Sequence, residues 1–193
     1  MQSLTQQQGT TAQRADAGLL PDGRMVESIT LRAPAAAIEV EVLAYGATLW
    51  RFCSPDREGQ VADVTLGHDT PGEYQHHRGY LGVTVGRYAN RIAGGRFELD
   101  SVEYRLECND GANALHGGAQ GFDTQLWQVA QLREGDIASV TFTHHSPDGE
   151  GGYPGAVDAS VSYALDAAGV LTIAFAATVS APTVLNMTNH ALW

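Results

Sequence analysis

Val157-Asp158-Ala159-Ser160-Val161-Ser162-Tyr163-Ala164-Leu165 sets an apolar or aromatic residue at every second position, and Leu171, Ile173, Phe175 and Ala177 repeat the pattern a few residues on. Side chains alternate between the two faces of a strand, so each run has one apolar face and one face of Asp, Ser, Thr or Ala. The four residues Asp166 to Gly169 between the runs fit a hairpin loop. Upstream, Ile38, Val40 and Val42 alternate with Glu39 and Glu41, and Val140 and Phe142 mark a shorter strand. Phe97-Glu98-Leu99 and Val102-Glu103-Tyr104 read as a second hairpin with Asp100-Ser101 at its tip. Ser is a weaker choice than Gly where a two-residue turn wants positive φ, a mismatch that a longer loop type would relieve. No segment carries an apolar stripe of helical period across three turns, and no repeat of fixed period recurs. The 22 glycines cluster between the strands, so the pattern predicts an all-β sandwich or barrel and argues against a propeller.

The chain has 193 residues, enough for one domain that buries roughly two-thirds of its unfolded surface. Residues 1–24 read as a flexible polar leader, with Gln6-Gln7-Gln8 and the turn-rich Pro21-Asp22-Gly23, and 25–193 as the domain. The net charge is −11, from 11 Lys and Arg against 22 Asp and Glu. Such a chain repels phosphate backbones and anionic lipid, which leaves neutral small molecules as the better partner class than nucleic acid or a membrane. The oligomeric state is left open. The two cysteines, Cys53 and Cys108, form no CxxC and no metal spacing, and are expected as two buried thiols in a reducing compartment. Met1 to Gly18 shows no apolar core of a signal peptide, and no run of eighteen apolar residues occurs, so a cytoplasmic protein is expected.

Three polar stretches interrupt the strand pattern. They are Gly86-Arg87-Tyr88-Ala89-Asn90-Arg91-Ile92, Gly111-Ala112-Asn113-Ala114-Leu115-His116-Gly117-Gly118 and Asn186-Met187-Thr188-Asn189-His190. Gly117-Gly118 removes side-chain bulk beside His116, so a ligand can approach the imidazole and backbone closely. Arg91 brings five donors in a fixed fork, and Asn90 both a donor and an acceptor, a pair suited to hydroxyl-rich ligands. His190 can give or take a proton near neutral pH. Taken singly, each stretch fits a turn, a surface ion pair or a satisfied sheet histidine at least as well. His76-His77 and His144-His145 are sequence neighbours that point to opposite faces of a strand, so neither pair chelates one ion there, and both read as solvated loop histidines. Asp69-Thr70-Pro71-Gly72-Glu73 reads as an acidic turn rather than a calcium loop.

Taken together, Gly-Arg-x-x-Asn-Arg-Ile, Gly-x-Asn-x-Leu-His-Gly-Gly-x-x-Gly-Phe-Asp, Gly152-Tyr153-Pro154-Gly155 and Thr188-Asn189-His190 resemble the aldose 1-epimerases, or galactose mutarotases. The spacings fit as well, with 25 positions from Arg91 to His116 and 74 from His116 to His190. The resemblance runs from about Val26 to Trp193 and implies a twisted, galactose-mutarotase-like β-sandwich. It implies interconversion of the α and β anomers of free aldohexoses such as glucose and galactose, without metal or cofactor. Carried onto this sequence, it makes His190 the acid that protonates the ring oxygen, and His116, Arg91 and Asn90 the set that binds the sugar hydroxyls and ring oxygen.

Mutarotation takes the proton from the anomeric hydroxyl and places one on the ring oxygen. The ring opens to the aldehyde, the adjacent bond rotates, and the ring closes on its other face. Two proton carriers on opposite sides of the sugar supply this, each typically worth ~10² to 10⁴ in rate.

The resemblance also implies a departure. Members are longer, and their catalytic Glu and a sugar-binding Asp lie in the C-terminal part. The chain is therefore expected to be an N-terminal portion of the sandwich, incomplete at its C-terminus, with the base beyond Trp193. Glu150 and Asp123 match no motif for that role. A sandwich lacking its last strands exposes apolar faces and strand edges, and such a chain is expected to be marginal, to aggregate or to pair with another copy. Two other readings stand beside the enzyme: a non-catalytic carbohydrate-binding β-sandwich, and a sugar-phosphate mutarotase, which 11 basic residues in an acidic chain support little.

Overall fold

The computed structural model describes residues 9–193. Five strands open the chain: β1 (Thr11–Leu19), β2 (Met25–Ala33), β3 (Ile38–Leu43), β4 (Thr48–Pro55) and β5 (Val61–Asp63). They form one antiparallel sheet in sequence order. A short helix, α1 (Pro71–His76), leads to β6 (Thr84–Val85), β7 (Arg91–Ile92), β8 (Arg96–Leu99), β9 (Val102–Arg105) and β10 (Ala114–Leu115). The second large sheet follows: β11 (Gln128–Arg133), β12 (Ile137–Ser146), β13 (Val157–Asp166) and β14 (Leu171–Val179), again in sequence order. The last strand, β15 (Thr188–Asn189), returns to pair with β6.

The period-two runs are what join the two sheets. Ile29, Leu31 and Ala33 of β2 and Val40 and Val42 of β3 meet Val140 and Phe142 of β12 and the alternate residues of β13 from Val157 to Leu165. Each fully buried Val, Leu or Ile stabilises the sandwich by about 1.5–3 kcal/mol relative to its exposed state. Tyr163 is fully buried, and its hydroxyl donates to the Ala47 carbonyl at 2.6 Å, so the one polar group on that face is satisfied. Burial pushes its pKa well above the usual tyrosine value.

Several expectations change. The described part of 1–24 is not a loose leader, because β1 lies there and pairs with β2 from Thr11↔Arg32 to Leu19↔Met25. Arg14 binds Glu27 through two contacts of 2.7 Å, and Ala12 and Ala17 turn toward the core. Exposed residues on both faces of β1 hid the strand period. Residues 1–8 of the expected leader lie outside the described residues. The hairpin with Asp100-Ser101 at its tip is as expected: Leu99 pairs with Val102, and Asp100 and Ser101 take φ of 52° and 62°. β12 is ten residues long, not shorter than its neighbours. It carries His144 and His145, so these are strand rather than loop residues; His144 packs between Phe122 and Trp127, and His145 pairs with Asp158 at 2.7 Å. The acidic turn at 69–73 starts α1, with the Glu73 carboxylate accepting the Thr70 backbone N–H at 2.9 Å. Cys53 is half-buried and Cys108 is exposed, so only one of the two thiols is sheltered.

β14 forms one edge of the second sheet, and Val170, Val179, Leu192 and Trp193 stand exposed, Trp193 at 68%. Among the described residues, no helix is long and apolar enough to cross a membrane.

Candidate active site

Two short ladders at one end of the sandwich bring the polar stretches together. β7 pairs with β10 through Ala114↔Ile92 and Leu115↔Arg91. Beyond the ladder, His116 donates its backbone N–H to the Asn90 carbonyl at 3.1 Å. β15 pairs with β6, and beyond that ladder the His190 N–H donates to the Val83 carbonyl at 2.8 Å while its carbonyl accepts the Gly82 N–H at 3.0 Å. Asn189 braces this strand, with Nδ2 donating to the Gly82 carbonyl at 2.7 Å and to the Tyr163 hydroxyl at 3.1 Å. The core tyrosine is thus wired directly to the residue beside His190.

The two imidazoles meet edge to face, with centroids 5.1 Å apart and planes at 88°. His116 also packs on Tyr80 at 4.7 Å, and Tyr80 lies 6.1 Å from His190. Asn90 donates its backbone N–H to Nδ1 of His116 at 3.0 Å. An imidazole nitrogen that accepts carries no proton, so neutral His116 holds its hydrogen on Nε2 and is a donor there. Burial, then the nearby His190, Arg91 and Arg78, lowers the His116 pKa to about 4, so the ring is neutral at pH 7. Nδ1 of His190 is buried and finds no partner among the described residues.

Of the sequence-expected set, His116 and His190 come into contact. Asn90 touches His116, but with its backbone, and its Oδ1 accepts the Arg91 N–H at 2.9 Å. The Arg91 side chain is turned to Asp110, with Nε 2.7 Å from Oδ2. Asn90 and His116 hold φ of 70° and 52°, the left-handed region, which costs a non-glycine roughly 1–2 kcal/mol each. The glycine after His116 serves packing rather than ligand approach. A Cβ on Gly117 would stand 1.8 Å from the Gly86 carbonyl oxygen, so two chain segments cross there with no room for a side chain.

Sequence reasoning missed three supports. Arg87 is 2% exposed and donates to the Ser146 hydroxyl and to the carbonyls of Ser146, Pro147, Pro154 and Gly155 at 2.7–3.2 Å. It ties the Gly86–Ile92 stretch to the Gly152-Tyr153-Pro154-Gly155 turn, and burial lowers its pKa. Asp123 sits 4% exposed in a two-pronged pair with Arg78 at 2.7 and 2.8 Å, so it is occupied and makes no base. Glu150 is likewise engaged, accepting the Ser146 hydroxyl. Tyr80, the third ring of the cluster, follows His77, Arg78 and Gly79 in a short loop that gave no periodic signal. Among the described residues, no carboxylate hydrogen-bonds or pairs with His116 or His190.

The family model for aldose 1-epimerase matches residues 27–193. The chain belongs to the aldose 1-epimerase family. The galactose mutarotase of Bos taurus is 43% identical over 178 residues, which cover 92% of this chain and 50% of that protein. The aldose 1-epimerase of Escherichia coli K12 is 39% identical over 172 residues, 89% of this chain and 49% of that one. The crystal structure of galactose 1-epimerase from Lactobacillus acidophilus superposes with a TM-score of 0.82 at 30% identity, over 94% of this chain and 52% of the other. The fold is therefore the twisted β-sandwich of the galactose epimerases, and the chain spans about half the length of the relatives it matches.

Proposed function

We propose that this chain carries the acid half of an aldose 1-epimerase site acting on free aldohexoses, glucose or galactose. The observation that carries the reading is the His116–His190 contact at 5.1 Å, with one ring locked neutral by the Asn90 backbone. That asymmetry separates two roles. His116 donates from Nε2 to a sugar oxygen, and Asn90 and Arg91 line the same wall. His190 passes a proton to the ring oxygen as the bond from that oxygen to the anomeric carbon breaks. A carboxylate takes the anomeric hydroxyl proton, and closure on the other face returns both protons. We assign that carboxylate to sequence outside these 193 residues, in the half of the relatives' length that the chain does not span.

The neighbouring arginines support a neutral sugar over a sugar phosphate. Arg78 is paired with Asp123, Arg87 with carbonyls and Arg91 with Asp110. A cytoplasmic setting belongs to the same proposal; Cys53 and Cys108 are unpaired, as a reducing compartment leaves them.

Polarimetry of freshly dissolved α-galactose tests the roles. Joined to the remaining half of a relative, the chain is expected to accelerate the change, and His190→Ala to remove about 10² or more of that acceleration. The 193 residues alone are expected to bind sugar and accelerate little, the behaviour of a carbohydrate-binding sandwich. An unchanged rate in His190→Ala would dismiss His190 as the acid, and brisk turnover by the chain alone would dismiss the external carboxylate.

A further inference from the structure

Tyr80 is given no proton to move, yet Arg78, Asn109 and both imidazoles converge on it. Arg78 donates from Nε and Nη2 to the Asp123 carboxylate, from Nη2 to the Gly118 carbonyl at 2.8 Å and from Nη1 to the Ala119 carbonyl at 3.1 Å. Its guanidinium carbon lies 5.0 Å from the Tyr80 ring centroid, within cation–π range. From another direction, Asn109 donates from Nδ2 to the Tyr80 hydroxyl at 3.3 Å and to the Leu115 carbonyl at 3.0 Å, and its Oδ1 accepts the Leu115 N–H at 2.7 Å. The chain on both sides of His116, at Leu115 and at Gly118-Ala119, is therefore tied to residues that also hold Tyr80. Tyr80 itself keeps a φ of 58°, a conformation that a non-glycine retains only where its surroundings over-determine it.

We propose that Tyr80, held between Arg78 and Asn109, is a positioning residue for the sugar site: its ring seats the His116 imidazole against His190 so that Nε2–H faces the ligand. The inference rests on the sugar-site reading of the histidine pair. A cavity of about 270 Å³ is lined by Tyr80, Arg78, Asp123, Tyr45 and Tyr74. A smaller side chain at position 80 would open the face of His116 toward that space. The imidazolium would then be solvated more easily, and His190, Arg91 and Arg78 are the charged or titratable groups that oppose it at this ring.

The test is NMR on the ¹³C,¹⁵N-labelled 193-residue chain, following the His116 ring through a pH titration and a galactose titration. Tyr80→Leu is expected to raise the His116 pKa by about one unit or more and to weaken galactose binding about tenfold or more. Tyr80→Phe, which keeps the ring, is expected to restore both. If Tyr80→Leu fails to fold, Asn109→Ala releases the clamp from the exposed side and is expected to weaken the His116–His190 ring contact in the nuclear Overhauser spectrum. An unchanged His116 pKa in folded Tyr80→Leu, or an unchanged ring contact in Asn109→Ala, overturns the proposal. A wild type that ignores galactose while Tyr80→Leu still moves the His116 pKa overturns the sugar reading and leaves the positioning role standing.

Discussion

Between β12 and β13, Val140, Phe142, Val161 and the Tyr163 ring are held by burial of apolar surface, and what matters there is volume and face. Around His116 the hold is on the backbone. Asn90, His116 and Tyr80 all sit at positive φ, Gly117 crosses against Gly86 with no space for a side chain, and Arg87 donates to four carbonyls. The two regions are linked at the Tyr163 hydroxyl, which donates to Ala47 and accepts from Asn189 next to His190, and at Ser146 on β12, which accepts from Arg87. The sandwich is thus built to be stable with interchangeable apolar parts. The site is built to be accurate, and left-handed backbone is the strain it carries for that.

The largest effect expected from this contrast is in the core. Phe142→Ala should lower unfolding free energy in a urea melt by about 3–5 kcal/mol, because it removes a fully buried ring from the inter-sheet layer. Apart from global unfolding, its route to the site runs through Tyr163 and Asn189, so below the melt the His116 resonances should be unmoved and those of His190 should shift little. His116 resonances that shift in the folded variant would show that the two regions are one mechanical unit.

A smaller effect is expected from the site. Burial and the neighbouring cations hold the folded pKa of His116 at about 4, below the ordinary histidine value of 6.5 that applies to the unfolded chain. Between those values the unfolded state binds the extra proton, so this histidine's contribution is fully present above about pH 6.5 and is lost as pH falls toward 4. His116→Gln should flatten that acid limb of stability against pH relative to the parent while changing stability little at pH 8. Superimposable limbs would show that His116 is not held neutral by the fold.

What could be read from the sequence divides along the same line. β13, β14 and β3 announced themselves because one face of each is apolar at period two, and the hairpin loop at Asp166–Gly169 followed. β1 did not, because it is an edge strand on which Gln13, Arg14, Ala15 and Asp16 are all exposed, so neither of its faces reads as apolar. At the site, His116 and His190 could be named from motif order, since family resemblance preserves residues and spacing. The Asn90 backbone bond to His116, the seat of Tyr80 and the Arg78–Asp123 anchor could not, because they join residues 26 to 45 positions apart through loop conformations with no periodic signal. The role expected of the Arg91 side chain is the part most open to change on ligand binding, since an exposed ion pair with Asp110 holds it by no more than about 1 kcal/mol.

The two imidazoles should respond to sugar as one site, distinct from the rest of the sandwich. Galactose titrated into the labelled chain tests it most directly, read at every histidine ring at once. Saturable shifts of His116 and His190 together are expected, with His144 and His145 on β12 unmoved. Shifts at His144 and His145 alone, or none at any ring up to saturating sugar, would contradict it.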